Sequence, residues 1–199
     1  MKNPACLLAK SALVVVMIST AARLHAGVLT FDDVVADIWN PTNYGDGFHN
    51  EVPNNSGVFQ NNFGAWTNPL PSGNQVMTNY NSEVGAILRA SAFDFVGAYF
   101  HKDIRYTPGP ETVNFAGYDA NGVLLYSTTL AISDSWAFIA FNWSGISKFT
   151  WDPTNPDTIE NIGIDNFTYN ESVADSGATV ALLGLALAGL AGGRRRLNR

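Results

Sequence analysis

The sequence of 199 residues contains a single cysteine, Cys6, which lies close to the N-terminus. Residues 27–199 therefore have no disulfide, no cysteine nucleophile and no thiolate metal ligand. Charged side chains are also scarce, at 14%, whereas hydrophobic residues make up 46% and aromatic residues 12%. A disordered chain has the opposite balance, so the sequence predicts a folded protein, and its length suits one domain.

Positive charge is nearly absent from the middle of the chain. Residues 27–193 contain four Lys or Arg side chains and all 17 Asp and Glu side chains, which gives them a net charge of −13. Affinity for nucleic acid depends on Lys and Arg side chains that displace counterions from phosphates. This composition excludes nucleic acid as a partner.

The first 26 residues have the pattern of a secretory signal peptide. Lys2 and Lys10 precede an apolar stretch at 11–22, and Ala26 offers a small residue at the cleavage position. We predict a signal helix in residues 1–26 with cleavage after Ala26; cleavage near Ala22 and an uncleaved anchor are the alternatives. The apolar stretch is shorter than the ~20 residues that span a membrane, which favours cleavage.

The C-terminus has a short motif, an apolar run and a basic cluster in that order. The run, residues 178–193, would be about 24 Å long as a helix, slightly less than a hydrocarbon core of about 30 Å. We predict a transmembrane helix here, with the basic cluster holding its end in the cytoplasm. The motif is Val173, Ala174, Asp175, Ser176 and Gly177, and the cluster is Arg194, Arg195 and Arg196.

These C-terminal residues resemble the sorting signals of the PEP-CTERM and exosortase system, in the variant whose motif reads Val-Pro-Asp-Ser-Gly. Four of the five motif positions match, and Ala174 stands where the family has proline. The resemblance implies export, transient anchoring in the inner membrane of a Gram-negative bacterium, and processing by a membrane-embedded exosortase. The protein would then reach the cell surface or the extracellular matrix, with a plain uncut anchor as the alternative.

Between these segments, residues 27–172 are typical of an all-β domain. Short apolar runs are separated by Gly, Pro, Asn and Asp, and no sustained helical period is present. We predict seven or more strands in an antiparallel β-sandwich of the jelly-roll type, with a hairpin turn at residues 119–122. The clearest strands are expected at 93–100, 112–118, 123–130, 137–143, 146–151 and 162–169.

This middle region is similar to the secreted galactose-binding-like jelly-roll domains that occur among sorted proteins of this kind. The similarity lies in three short patterns, at residues 29–33, 115–119 and 163–167. It implies the sandwich fold and assigns no ligand, because such sandwiches host unrelated functions.

No catalytic motif is present in the sequence. It contains no nucleophile elbow, no phosphate-binding glycine loop and no His-Glu-x-x-His pattern. His49 and His101 are predicted to be loop or surface residues, because neither has a second His at metal-ligand spacing. The 17 acidic residues offer many pairs, so a carboxylate pair for glycoside hydrolysis remains an alternative.

Three acidic residues form a candidate calcium site. Asp32 and Asp33 follow the first strand, and Asp165 lies in the last, where the apolar phase changes between Ile164 and Phe167. A phase change predicts a β-bulge, which can turn side chains toward a common point. Because the first and last strands of such folds are neighbours, these carboxylates are expected to converge on a structural calcium ion. Solvated strand-end acids and turn caps are the alternative.

The five tryptophans are the candidates for a sugar-binding surface. Trp143 and Trp151 alternate with phenylalanines and are predicted to be core residues. Trp39 and Trp66 lie among Asn, Pro and Gly, which favours a stacking role at the surface. The sequence thus favours a non-catalytic polysaccharide-binding sandwich at the cell envelope; a structural matrix protein and an extracellular glycan hydrolase are the alternatives.

Overall fold

The computed structural model describes residues 26–35, 38–39, 43–50, 56–60, 64–67, 69–105, 109–155 and 161–172. The predicted signal helix before Ala26, the sorting motif, the transmembrane helix and the arginine cluster lie outside the described residues. Within the described ranges no residue is helical. Accordingly, this part of the chain contains no helix of the length and hydrophobicity that a membrane span needs.

Ten β-strands make up the described fold, and every pairing between them is antiparallel. The strands are β1 (Ala26–Leu29), β2 (Ile38–Trp39), β3 (Phe48–His49), β4 (Ser56–Gln60), β5 (Gln75–Asn79), β6 (Gly85–Lys102), β7 (Glu111–Tyr118), β8 (Leu124–Ile132), β9 (Ala137–Pro153) and β10 (Ile162–Glu171).

Two long strands, β6 and β9, pair with each other along most of their length and join two sheets. Sheet 1 contains the start of β6 and the end of β9, flanked by β3 on one side and by β7 and β8 on the other. Sheet 2 contains the rest of β6 and β9, followed by β10, which pairs with both β1 and β5. Strands β4 and β2 extend sheet 2 beyond β5.

The two sheets face each other across an aromatic core. The Phe115 ring in sheet 1 lies 5.1 Å from the Phe100 ring and 5.1 Å from the Phe141 ring, both in sheet 2. The Phe149 ring is 5.9 Å from the Phe167 ring, which also connects the sheets. These ring contacts join strand segments that are not hydrogen-bonded to each other, as in a sandwich, so the predicted antiparallel β-sandwich is confirmed.

Most of the predicted strands are present with extended ends. The predicted strands 137–143 and 146–151 are a single strand, β9, whose register with β6 shifts between them. The core positions of Trp143 and Trp151 are confirmed, since both side chains are buried. Ser144 and Gly145 lie between the two predicted strands, and the φ of 68° at Gly145 lets the backbone continue through the irregularity.

Two local predictions are also confirmed. β10 has a register shift between Asp165 and Thr168, and Asn166 there has a φ of 50°, so the bulge lies where the apolar phase changes. The turn between β7 and β8 is closed by a hydrogen bond of 3.1 Å from the Gly122 amide to the Asp119 carbonyl. Gly122 supplies the positive φ, 78°, that this turn requires.

Candidate functional site

A loop between β4 and β5 covers part of the outer face of sheet 2. We call residues 64–67 and 69–74 the covering loop. The Ser72 amide and hydroxyl each donate a 2.8 Å hydrogen bond to Asp165 in β10. The Ala65 carbonyl accepts a hydrogen bond of 2.9 Å from the Ile104 amide. These bonds hold the loop against the sheet at both ends.

Trp66 is buried under the covering loop and not at the surface. Its side chain is 5% exposed and packs in a small cluster with Ala65 and Val76. The indole lies directly over Gly163 of β10, where the missing side chain leaves room for it. The surface position that the sequence predicted for Trp66 is therefore corrected to an interior one.

Trp39 lies in the short strand β2, next to β4. Its side chain lies outside what the structure describes, so its predicted stacking role stays a prediction.

The predicted calcium ligands lie around the same loop. Asp165 is buried, and its carboxylate accepts hydrogen bonds from Ser72 and from the Asn166 amide, the latter at 2.6 Å. Asp32 is half-buried and accepts a hydrogen bond of 3.0 Å from the Asn74 amide, while Asp33 is exposed. Burial, chiefly, raises the pKa of Asp165 to about 6, and the Asp32 charge adds to this effect.

Asp32 and Asp165 thus both accept hydrogen bonds from the same end of the covering loop, at Asn74 and Ser72. Within the described ranges, no group of three or more His, Cys, Asp or Glu side chains is arranged to hold a metal ion. A calcium ion at this position would need carbonyl or hydroxyl oxygens besides the carboxylates. Calcium binding here stays a prediction.

The sequence predicted that His101 is a loop or surface residue. This prediction is wrong, because His101 lies in β6 and is buried. Its Nε2 atom accepts a hydrogen bond of 3.3 Å from the Thr67 amide and lies 2.8 Å from Thr67 Oγ1. Because an amide can only donate, the ring proton must be on Nδ1, which donates to the Lys102 carbonyl. Burial lowers the pKa of His101, so the ring stays neutral at neutral pH.

His101 belongs to a group of four rings on the outer face of sheet 2. We call Tyr99, His101, Trp136 and Phe138 the aromatic patch. Tyr99 and Phe138 are directly paired across β6 and β9, and their ring centroids are 5.3 Å apart. The His101 and Trp136 centroids are 5.0 Å apart, and Trp136 Nε1 donates a 3.0 Å hydrogen bond to the Thr67 carbonyl.

The aromatic patch is open to solvent at its far end. Phe138 is 44% exposed, although a ring of this size is usually buried. The next pair along β6 and β9 is Gly97 with Ala140, which are too small to cover the Phe138 ring. Gly97 is required there, because an added Cβ atom would collide with the Ile139 carbonyl oxygen and would lie 2.9 Å from the Phe138 ring.

Sequence reasoning missed this patch, although a signal for it was present. Side chains alternate between the two faces of a strand. Since Ala98 and Phe100 point into the core, Tyr99 must point out; since Ile139 and Phe141 point in, Phe138 must point out. The polar surroundings of Trp39 and Trp66 predicted a stacking surface at those two residues instead.

The chemistry of the patch suits an uncharged ligand with flat apolar faces and hydroxyl groups. The partly exposed rings of Tyr99, Trp136 and Phe138 offer surfaces for stacking. The Thr67 hydroxyl and the Ser133 and Ser135 hydroxyls, which lie 3.1 Å apart, are polar groups at its border. His101 adds no charge, because its ring is neutral.

The fold is similar to that of several solved structures. A DUF4465 family protein from Bacteroides caccae has 9% identity and a TM-score of 0.52, with 74% of this chain and 100% of that chain covered. A family 29 carbohydrate-binding module, CBM29-2, has 13% identity and a TM-score of 0.41, covering 75% and 93%. The CBM22-1 xylan-binding domain of Paenibacillus barcinonensis Xyn10C has 12% identity and a TM-score of 0.42, covering 76% and 99%.

At the level of sequence, no curated protein matches this chain. The model of the VPDSG-CTERM motif matches residues 172–197. This match contains the motif, the apolar run and the arginine cluster. The chain therefore carries a VPDSG-CTERM sorting motif after an antiparallel β-sandwich, and this motif implies an exported, surface-associated protein.

Proposed function

We propose that this protein is an exported, non-catalytic β-sandwich that binds extracellular polysaccharide through the aromatic patch. The observation that supports this most is the partly exposed Phe138 ring, which is paired with Tyr99 and has Trp136 two residues before it in the chain. Sugar rings have apolar faces that stack on such rings, while their hydroxyl groups bond to polar neighbours. Thr67 is an exposed residue at the edge of the patch.

The proposed route to the cell surface has three steps. A signal peptide is cut after Ala26; the C-terminal helix holds the chain in the inner membrane; and an exosortase-type enzyme then cuts near the motif. Cleavage after Ala26 leaves three of the four residues of β1, and Gly27 keeps its pairing with Tyr169 of β10. The sandwich would then be retained at the cell surface or in the extracellular matrix of a Gram-negative bacterium.

A panel of glycans tests this proposal. The purified protein is screened against neutral and acidic polysaccharides, including the exopolysaccharide of its own host, and each hit is followed by an assay for released product. The proposal predicts at least one neutral hit and no product. Silence across the panel would support a structural matrix protein, and product whose release depends on one carboxylate would support a glycan hydrolase.

A further inference from the structure

Strand β8 forms one edge of sheet 1. Within the described residues it pairs with β7 alone, so its other side is open. In an antiparallel strand, alternate residues direct their amide and carbonyl groups away from the neighbour on one side. The open side of β8, which is nine residues long, therefore presents a row of hydrogen-bonding groups that a further strand can use.

Other edge strands of the described fold have features that discourage pairing, and β8 lacks them. Strands β1, β2 and β3 have only four, two and two residues. The first half of β9, an edge of sheet 2, is interrupted by the positive φ of Asn142 and by register shifts against β6. β8 contains no proline and no charged residue, and its register shift lies at its start, opposite Tyr118. Short strands, bulges and charges keep edges apart, so an edge without them is suited to pairing.

Charge favours this edge as the contact between two copies of the chain. Residues 27–193 carry a net charge of −13, yet residues 120–133, which include all of β8, contain no charged side chain. Three consecutive large apolar residues lie exposed where β8 begins, Val123, Leu124 and Leu125. Like charges on paired strands are destabilising, whereas apolar pairs are stabilising. Pairing at β8 therefore removes apolar surface from water and brings no acidic residues of this strand together.

The sequence of β8 is complementary to itself in an antiparallel arrangement. Its three central residues, Ser127, Thr128 and Thr129, have hydroxyl groups, and three apolar residues flank them on each side. When two copies pair about Thr128, Ser127 of each copy lies opposite Thr129 of the other, and each apolar triplet lies opposite the other triplet. Opposed residues differ by an even number of positions, so each face of the strand stays on one face of the joined sheet. Hydroxyl pairs and apolar pairs both stabilise such an arrangement.

We propose that two copies of this protein associate by antiparallel pairing of their β8 strands about Thr128. Sheet 1 of one copy then continues into sheet 1 of the other, and both copies contribute the same residues, as a two-fold axis requires. A single strand pair is a small interface, so the dimer is weak and forms at high protein concentration. This inference goes beyond the proposed function and does not depend on glycan binding.

Sedimentation equilibrium of the purified whole protein, from about 1 µM to about 1 mM, measures this association. We expect a reversible equilibrium between monomer and dimer. Ser127→Glu should raise the dissociation constant of the dimer about tenfold, because it places two like charges on neighbouring strands close to the symmetry axis. Ser91→Glu makes the same change at an exposed serine of β6, away from the β8 edge; it is the matched control and should leave the dissociation constant unchanged.

A second variant tests the register of the pairing. Adding Thr129→Lys to Ser127→Glu places a lysine of each copy opposite the glutamate of the other, so dimerisation should return to about the wild-type level. Ser127 and Thr129 are exposed, so both variants should stay folded, and their Tm values check this. A wild type that is monomeric at every concentration, or a dimer that Ser127→Glu does not weaken, overturns the inference. A loss that Thr129→Lys does not restore overturns the pairing about Thr128.

Discussion

At the residue scale, Asp165 connects the folding of the covering loop to pH. Its buried carboxylate accepts three hydrogen bonds, two from Ser72 and one from Asn166. Desolvation nevertheless outweighs these bonds and raises the pKa from 3.8 to about 6. The folded state therefore favours the protonated form of this side chain relative to the unfolded state.

The sign of the pH effect follows from this shift. Between about pH 4 and pH 6 the folded protein binds more protons at Asp165 than the unfolded chain does, so the free energy of unfolding falls as pH rises. The full effect is about 2 to 3 kcal/mol. Asp165→Asn cannot titrate at this position. In urea unfolding, the free energy of unfolding of the wild type should therefore fall by this amount relative to that of the variant from pH 4 to pH 7. A constant difference would contradict the assignment.

Thermal melts of the protein with calcium and with a chelator test the calcium prediction at Asp32, Asp33 and Asp165. A cation favours ionised carboxylates, so its effect should be largest above pH 6. At a hundredfold excess over its Kd, a bound ion contributes about 2.7 kcal/mol, which corresponds to several degrees in Tm for a domain of this size. Coincident melting curves at pH 7 would exclude the ion and leave the hydrogen bonds of Ser72 and Asn74 as the reason for these acids.

At the element scale, the strands were predictable and the covering loop was not. The bulge in β10 followed from a local pattern, because Ile164 and Phe167 are both buried although they are three residues apart. Trp66 lies far from Gly163 in sequence, and only the folded sheet brings the indole onto that glycine. A contact between residues so far apart leaves no periodic pattern in the sequence. Trp66 therefore has the polar sequence neighbours that are typical of an exposed residue, although it is buried.

The fit of Trp66 on Gly163 predicts non-additive energetics. Gly163→Ala places a methyl group inside the indole and should destabilise the protein by about 1 to 3 kcal/mol through overpacking. Trp66→Ala should cost about 3 to 5 kcal/mol. In the double variant the overpacking is gone, so denaturant unfolding should show a smaller loss of stability than the sum of the losses in the two single variants. Strict additivity would mean that the indole does not lie on Gly163.

At the scale of the whole molecule, charge is segregated between the sandwich and its ends. Residues 27–193 carry −13, whereas basic residues are concentrated before residue 27 and after residue 193. Loss of both ends would release a strongly acidic, soluble domain, and an acidic net charge favours solubility. The resemblance of the tail to sorting signals was sufficient to predict this organisation, because motif, apolar run and arginines occur in a fixed order.

Tail processing predicts a specific mass for the mature protein. Protein isolated from the native host should begin at Gly27 and lack the residues after about Gly177, because the proposed exosortase-type processing would remove the apolar run together with the arginines. Intact mass spectrometry with peptide mapping measures both ends. Recovery of peptides containing Arg194, Arg195 and Arg196 from most of the mature protein would support a plain, uncut anchor.

The central claim is that the aromatic patch binds glycan, and two residues of equal exposure give its most direct test. Phe138, in the patch, and Leu125, on β8 of the other sheet, are both 44% exposed. Affinity for the best neutral glycan is measured by calorimetry for Phe138→Ala and Leu125→Ala. We predict that Phe138→Ala weakens binding about tenfold, or ~1.4 kcal/mol, while Leu125→Ala leaves it unchanged. Equal affinities for wild type and both variants would contradict the account.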